Sequence, residues 1–562
     1  MEPADPMAAR AVSPARQLAA HPTPIRTERR ALARATLRDF GLLLGAVILA
    51  HFPLLLNDGL YWDDWLLFRQ LQSGDWASVN ALVREAGITP FNAAFFDLFA
   101  YVPGDVLGFR LVVFGLIVAI AYLTYAIALD VGLPRRPSLL IALLASVFPG
   151  FQDWILLATA SSVMDYAVFL AATLLLVRAE RQGPAAALAA RVAAVVLFLL
   201  SFSFNSLLTL YFASLLVLLL VIWRAGGVDA LRRRRLYLAG LLIPPFAYWW
   251  LARTLFVPSG LYANYNAITA SPRVLAHGFK GFLVNGILEQ LAQTLTLVSR
   301  WPVWAAVALV AAAAALLSYR ALREPPTLPA QWTAGLAVGA GALFLAVLPY
   351  AAVDKFPSVH GWDTRHDLLI ALPLAVVGVM TVEAIAALLK VAWLGAAFVI
   401  AVSAVLALAG LQDYAALQAR WATDVSVMQQ LRRTDGSGRY SVFWVEDQAP
   451  GPEDFYRFYE WSAMLGDVYG GQSHVGLDTR AYDASFLGQS QFFTARYDLS
   501  GFDPNGCQAD LTIERGADYT GRTQVAATYL FYRVFEPDKL SDYLNHLVVI
   551  NLTPRSTAGC GS

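Results

Sequence analysis

Tyr61-Trp62-Asp63-Asp64-Trp65 sets two adjacent carboxylates among three aromatic residues, just after the apolar run Phe40 to Leu56. Three roles suit such a pair. One acid can serve as general base on a hydroxyl. Either can hold a divalent cation, Mg or Mn, that neutralises a phosphate leaving group. Both can instead be first-turn acids of a helix over Asp64 to Gln72, where Asp is favoured by the helix dipole and as a cap. Further acids lie at Asp153, in Gln152-Asp153-Trp154, and at Asp165, inside an apolar stretch. An acid in such a stretch is either functional or a hydrogen-bonded acid facing Ser161, Ser162 or a neighbouring helix.

The segment 354–367 is dense in ionisable groups: Asp354, Lys355, His360, Asp363, Arg365, His366 and Asp367. Arg365 suits bidentate capture of a phosphate. His366 or His360 suits protonation of a leaving oxygen, or a share in a metal site. The plainer reading is a solvated loop with internal Asp–Arg pairs. Arg253, Arg273, His277 and Lys280 are further phosphate candidates, and Arg253 is also placed to snorkel to an interface. The sequence has no Gly-x-x-x-x-Gly-Lys-Ser/Thr loop, no His-Glu-x-x-His and no Gly-x-Ser-x-Gly elbow.

The elements that must position these residues are apolar. The chain has 562 residues, of which 58% are hydrophobic and 15% charged, and a mean hydropathy of +0.53. Soluble domains average about 25% charged residues, so this is a membrane protein. Its 41 basic and 41 acidic residues balance, which argues against a nucleic-acid partner. Abundant Ala and Arg with little Lys fit a GC-rich bacterial source.

Eleven runs suit a bilayer span of roughly 20 residues: 40–56, 107–129, 138–149, 163–177, 186–203, 207–223, 236–256, 302–319, 332–353, 368–389 and 391–411. Basic clusters precede the first run or follow even-numbered ones, at Arg135–Arg136, Arg178 and Arg181, Arg232–Arg235, Arg320 and Arg323, and Lys390. The positive-inside rule then puts the N-terminus in the cytoplasm and the C-terminus outside. This scheme needs a break at Asn205–Ser206. The stretch 272–299 mixes an apolar face with Asn285, Glu289, Gln290 and Gln293, and reads as interfacial or re-entrant. Glu383 is expected near water or Lys390.

Three regions follow. Residues 1–38 form a disordered cytoplasmic tail, 39–411 the membrane domain, and 412–562 a small external α/β domain. In the last, the final membrane helix continues to about Leu431. Strands are expected at Tyr440–Val445, Ala509–Ile513 and Val525–Val534, and helices at Glu453–Leu465 and Pro537–Leu544. Cys507 and Cys560 fall on the oxidising side. A disulfide between them would stabilise the domain by about 4 kcal/mol; the alternative is two free thiols.

A tandem acid after the first span, a long first external loop with two short helices, about eleven spans and an external C-terminal domain together resemble the GT-C superfamily of integral-membrane glycosyltransferases. The likeness covers 40–411 in layout, and its motif is Asp63-Asp64. It implies a helical bundle in the bacterial cytoplasmic membrane with an external catalytic cavity. It implies a polyprenyl-phosphate-linked sugar as donor and an envelope glycan or lipid as acceptor. Asp63 and Asp64 would be catalytic or metal-binding, and Asp165 or Asp153 would stand for the second acid of that superfamily. Arg365, His366, His360, Arg253 and Lys280 would receive the lipid phosphate. A transporter or flippase of lipid-linked saccharide and a polysaccharide polymerase or ligase are the competing functions. A shared outer position for Asp63 and Arg365 favours the enzyme over the transporter.

Overall fold

The computed structural model describes residues 26–73, 84–87, 90–98, 105–259, 271–300, 329–449, 456–471, 473–488 and 505–556, with a few positions between them. The first helix, α1 (Arg26–Leu56), begins well before the apolar run. The expected tail is therefore corrected at its end: residues 26–38 are helical. Ala- and Arg-rich sequence propagates a helix readily once the adjoining apolar turns have nucleated it.

Short helices α2 (Asp64–Ser73) and α3 (Pro90–Leu98) follow, then α4 (Asp105–Asp130), α5 (Arg135–Ser146), α6 (Ala160–Ala179), α7 (Pro184–Ser201) and α8 (Leu207–Arg233). The break between α7 and α8 includes Asn205–Ser206, as the charge pattern requires. Next come α9 (Arg235–Gly240) and α10 (Ile243–Leu255). A continuous helical run joins α11 (Pro272–Gly281), a π-helical segment (Phe282–Glu289) and α12 (Gln290–Arg300). The bundle closes with α13 (Pro329–Ala351), α14 (Ala371–Leu388) and the 42-residue α15 (Ala392–Arg433).

Eight helices among the described residues are long and apolar enough to cross a membrane: those at 37–56, 106–130, 160–179, 184–201, 207–233, 332–351, 371–388 and 393–433. Eleven spans are thus not all present as such. The run at 138–149 belongs to α5, which has only 12 residues. That at 236–256 is split between α9 and α10, where Pro244 and Pro245 remove backbone donors. The run at 302–319 lies outside the described residues. Glu383 reaches neither water nor Lys390. It is buried, and Arg136 donates to it at 2.8 Å.

The C-terminal region carries a four-stranded sheet in the order β2-β1-β3-β4. Its strands are β1 (Val442–Asp447), β2 (Val475–Asp478), β3 (Gln508–Arg515) and β4 (Val548–Ser556). β1 runs parallel to both β2 and β3, and β4 runs antiparallel to β3. Helix α16 (Phe458–Tyr469) connects β1 to β2. After the short α17 (Ala484–Gly488) and β3, helices α18 (Arg522–Phe535) and α19 (Pro537–Leu547) lead into β4. The strand expected at Val525–Val534 is therefore a helix. Val525, Ala526 and Tyr529 are its buried residues, a helical rather than alternating spacing.

One apolar cluster ties the two regions together. It runs from Val47 of α1 and Val113 of α4, through Leu157 and Leu417, to Val427, Phe443, Leu511 and Tyr529. The expected domain boundary at 411/412 falls within α15, which crosses it unbroken. Cys507, at the foot of β3, is disulfide-bonded. The only other cysteine of the chain is Cys560, which lies outside the described residues.

Candidate functional site

The turn that carries the tandem acid is strained. Trp62 has φ of 48°, a conformation that a bulky residue adopts only when its surroundings impose it. The surroundings here are specific. The Trp62 N–H donates to Glu460 Oε1 at 3.1 Å. Arg420 Nη2 donates to the same oxygen at 2.5 Å. The Arg457 N–H donates to Glu460 Oε2 at 2.8 Å, which satisfies one of the free donors at the start of α16. Burial raises the pKa of Glu460, and Arg420 opposes that rise. The first turn of α16 thus grips the 61–64 turn from nearly 400 residues away.

This grip separates the two acids. Asp64 is fully buried. Its Oδ1 accepts from the Ala158 N–H at 3.0 Å and its Oδ2 from the Tyr61 N–H at 3.4 Å. Burial pushes its pKa up to about 7, with Arg110 pulling the other way. Arg110, itself buried, also donates to the Gly59 carbonyl at 2.8 Å. Asp64 is therefore a positioning residue that pins the 61–64 turn to the segment before α6. Asp63 is partly open, and its Oδ1 accepts from the Tyr459 hydroxyl at 2.5 Å. With Asp64 bound to backbone donors, the tandem does not offer two carboxylates to one divalent ion. Among the described residues no group of three or more His, Cys, Asp or Glu stands together as a metal site.

Arg365 belongs to the same place. Its guanidinium carbon lies 4.3 Å from the centre of the Trp362 ring. The Trp62 ring approaches that of Trp362 with centres 6.0 Å apart. Arg457 reaches the ring from the other region, at 5.7 Å. Asp363 lies 3.2 Å from Arg365. His366 beside it, with Arg365 and Arg457, outweighs burial and lowers the Asp363 pKa. Lys355 is brought down to about 8 by burial and the nearby Arg365 charge; its ammonium donates to Asn266 at 2.8 Å. Arginine at a site of this kind provides planar, bidentate recognition of an anion, and the aromatic face holds it in place.

The remaining candidates fall elsewhere or change role. His366 is buried, and burial drops its pKa to about 4 against the opposing pull of Asp363. Burial thus favours the neutral ring, a weaker proton donor than the imidazolium. His360 faces Gln152 at 3.4 Å and Asp413 at 3.7 Å. Asp165 accepts from Ser203 at 2.9 Å, with Asn92 of α3 beside it. That is the hydrogen-bonded alternative for Asp165, in a different group from Asp63. Arg253 is exposed and stacks on Trp249 of its own helix at 4.9 Å. Lys280 is exposed on α11. His277 meets Asp354 at 3.0 Å. Asp153 is buried and accepts from Thr364 at 2.9 Å.

The helical run 272–300 cradles the 354–367 segment. Asn285 and Gln290 donate to the Pro357 and Val359 carbonyls, each at 3.0 Å. Gly281 and Gly286 come so close to Phe356 and Asp367 that a Cβ at either would collide. The π-helical turn in this run is of a kind common at functional sites.

Sequence reasoning missed Tyr459, Arg457, Glu460 and Arg420. Their only local signal is Glu460, three residues after the helix's N-cap residue Arg457, where an acid closes a cap. No protein-family model matches the sequence, and no curated protein matches it.

Proposed function

We propose that the protein is a membrane glycosyltransferase of GT-C type. It moves a sugar from a polyprenyl-phosphate donor to an envelope glycan or lipid acceptor on the external face of a bacterial cytoplasmic membrane. The observation that carries this reading is the gathering of Arg365 and Arg457 around Trp362, whose ring lies against that of Trp62, the neighbour of Asp63, at the junction of bundle and C-terminal region. A base and phosphate-binding cations at one place suit transfer, whereas transporters usually hold their coupling charges at mid-membrane.

In this reading Asp63 takes the proton of the acceptor hydroxyl. The acceptor oxygen bonds to the anomeric carbon as the bond from that carbon to the donor phosphate breaks. The configuration inverts. The phosphate departs with the electron pair, and Arg365 and Arg457 stabilise its charge. Asp64 and Glu460 hold the base in position, and Tyr459 orients its carboxylate.

The test is sugar transfer from a lipid-linked donor in detergent. Asp63→Asn keeps the shape of the side chain and should cut turnover about 100-fold or more, with the unfolding midpoint unchanged. A strain carrying Asp63→Asn with normal surface glycans would overturn the reading and leave the transporter in its place.

A further inference from the structure

Helix α18 has an outer face that neither the sheet nor the bundle uses. Beyond α15, the exposed large apolar side chains among the described residues are Phe531, Val534, Phe535 and Val549, at 48%, 56%, 72% and 44% exposure. Three of these four fall within one turn at the end of one helix. The Phe531 and Phe535 rings lie with centres 5.5 Å apart, as residues at i and i+4 on one helix face do. The inner face of α18 is taken up by Val525, Ala526 and Tyr529, which are buried.

Contacts with α1 fix where this patch stands. Arg533, two residues from each ring, donates to the Leu56 carbonyl at 2.8 Å. Leu56 is the last residue of α1, a helix long and apolar enough to cross a membrane. A cation on the last carbonyls suits the negative end of a helix dipole. Arg533 also lies 3.0 Å from Asp58, and the Tyr529 hydroxyl donates to Asp58 at 3.2 Å. One arginine side chain and about 3 Å of helix rise thus separate the patch from the end of a span. On α1 itself Leu49, Phe52 and Leu56 are exposed at i, i+3 and i+7, the stripe that a membrane helix turns to lipid. The charges near the patch are answered locally. Arg533 is shared by Leu56 and Asp58, Lys539 lies 2.5 Å from Glu536, and Asp538 stands in the first turn of α19, where an acid suits the dipole.

We infer that the Phe531–Phe535 turn is a lipid-binding surface, which enters the leaflet in which α1 ends and seats the C-terminal region on the membrane. Aromatic side chains beside an arginine suit the boundary between headgroups and acyl chains. Three apolar side chains in one turn are few for a stable protein interface, which takes roughly 20–30 residues a side. They are enough to dip a helix end into a leaflet already marked by α1. The surface depends neither on which side of the membrane it faces nor on the proposed sugar transfer.

The experiment places a nitroxide on single introduced cysteines of the full-length protein in vesicles of phosphatidylethanolamine and phosphatidylglycerol. Wild type has only Cys507 and Cys560, and Cys507 is disulfide-bonded, so labelling without reductant goes to the new thiol. The variants are Phe535→Cys and Val534→Cys. Leu49→Cys is the lipid reference, and Asp435→Cys, exposed just past the far end of α15, is the water reference. All four positions are exposed, so no packed side chain is lost. Power saturation compares relaxation by oxygen, which concentrates in lipid, with relaxation by a water-soluble nickel chelate. The expected result is that oxygen dominates at 534 and 535, as at 49, with a depth at 535 of about 5–10 Å, while nickel dominates at 435. Nickel-dominated relaxation at both 534 and 535 would overturn the surface. So would shielding from both agents, which would mean that protein covers the turn; dipolar broadening between labels would then identify a second copy of the chain. Sugar transfer enters no readout, so this surface and the glycosyltransferase reading fail separately.

Discussion

Glu460→Gln tests whether α16 sets the strained turn at Trp62. The substitution keeps size and one carbonyl oxygen but removes the charge. Arg420 and Glu460 are 1% and 0% exposed and 2.5 Å apart. Removing one partner of a buried pair leaves the other uncompensated and costs about 3–5 kcal/mol. The amide oxygen can serve Trp62 or Arg457, not both at their present distances of 3.1 and 2.8 Å. The lost hydrogen bond adds about 1 kcal/mol. The rings of Tyr456 and Trp62, 4.1 and 5.0 Å from the Arg420 guanidinium carbon, hold Arg420 in both forms and leave the difference unchanged. The net expectation is a loss of ~4–6 kcal/mol, a factor of several hundred or more in the folding equilibrium. The assay is reversible unfolding in mixed micelles, with the double variant Arg420→Met/Glu460→Gln in parallel. With neither charge of the pair left to bury, the double variant should regain ~2 kcal/mol or more over Glu460→Gln. A loss under ~1 kcal/mol in the single variant, or strict additivity in the double, would refute the clamp.

Other expectations follow from the same contacts. Arg365→Lys keeps the charge but loses the planar fork and the ring stack. KM for the lipid-linked donor should rise about tenfold, with a much smaller change in kcat. Asp64 has a native pKa near 7, raised by burial against Arg110, and an unfolded value near 4. It retains a proton on folding, so its contribution falls as pH rises from about 4 to 7 and is level above that. The Asp64→Asn variant should show a flatter midpoint-versus-pH curve across that window than wild type. Cys507→Ser removes the disulfide and should cost roughly 2–5 kcal/mol, read as an earlier unfolding of the C-terminal sheet by hydrogen exchange. Reductant should act the same way on wild type and have no effect on the variant.

The bundle was largely legible because its signal is local. An apolar run names its own helix, and the break near Asn205–Ser206 followed from Arg178, Arg181 and Arg232–Arg235 having to share one side. Where the reading failed, composition had outweighed period. Residues 525–534 are rich in aromatic and branched side chains, which suggests a strand, yet their apolar face repeats as a helix and packs on α15. β4 shows the reverse. Val548–Ser556 has strand composition but runs on directly from α19 without a turn signal. At the site, Asp63 and Arg365 stood out as ionisable groups beside apolar runs. Glu460, Tyr459 and Arg457 did not, because their meaning lies in contacts with residues near 60, about 400 positions away. A chain read alone shows which groups are unusual and not which distant groups answer them.

The long helix α15 explains how those distant groups arrive. It carries Tyr414 and Leu417 against the bundle, Arg420 against the 61–64 turn, and Val427 and Leu431 against the sheet, all in one rigid element. The Tyr414 hydroxyl donates to Nδ1 of His51 of α1 at 2.8 Å, since the Nε2 of that ring donates to the Ser146 carbonyl. Gln418, one turn on, is bonded by Asn57 at 2.9 Å. Arg420 then grips Glu460, and Ser426 donates to the Leu544 carbonyl at 2.5 Å. Each of these bonds joins α15 to a part of the chain over 35 residues away. The C-terminal region is thus registered against α1 by a ladder along one helix rather than by a flexible linker. A rigid mounting of this kind matters because Trp62 holds a left-handed backbone only while Glu460 accepts its N–H. Asp63 beside it keeps its place only while Tyr459 stands over it. The sheet region is therefore a wall of the site, and its removal would dismantle the turn that carries the acid.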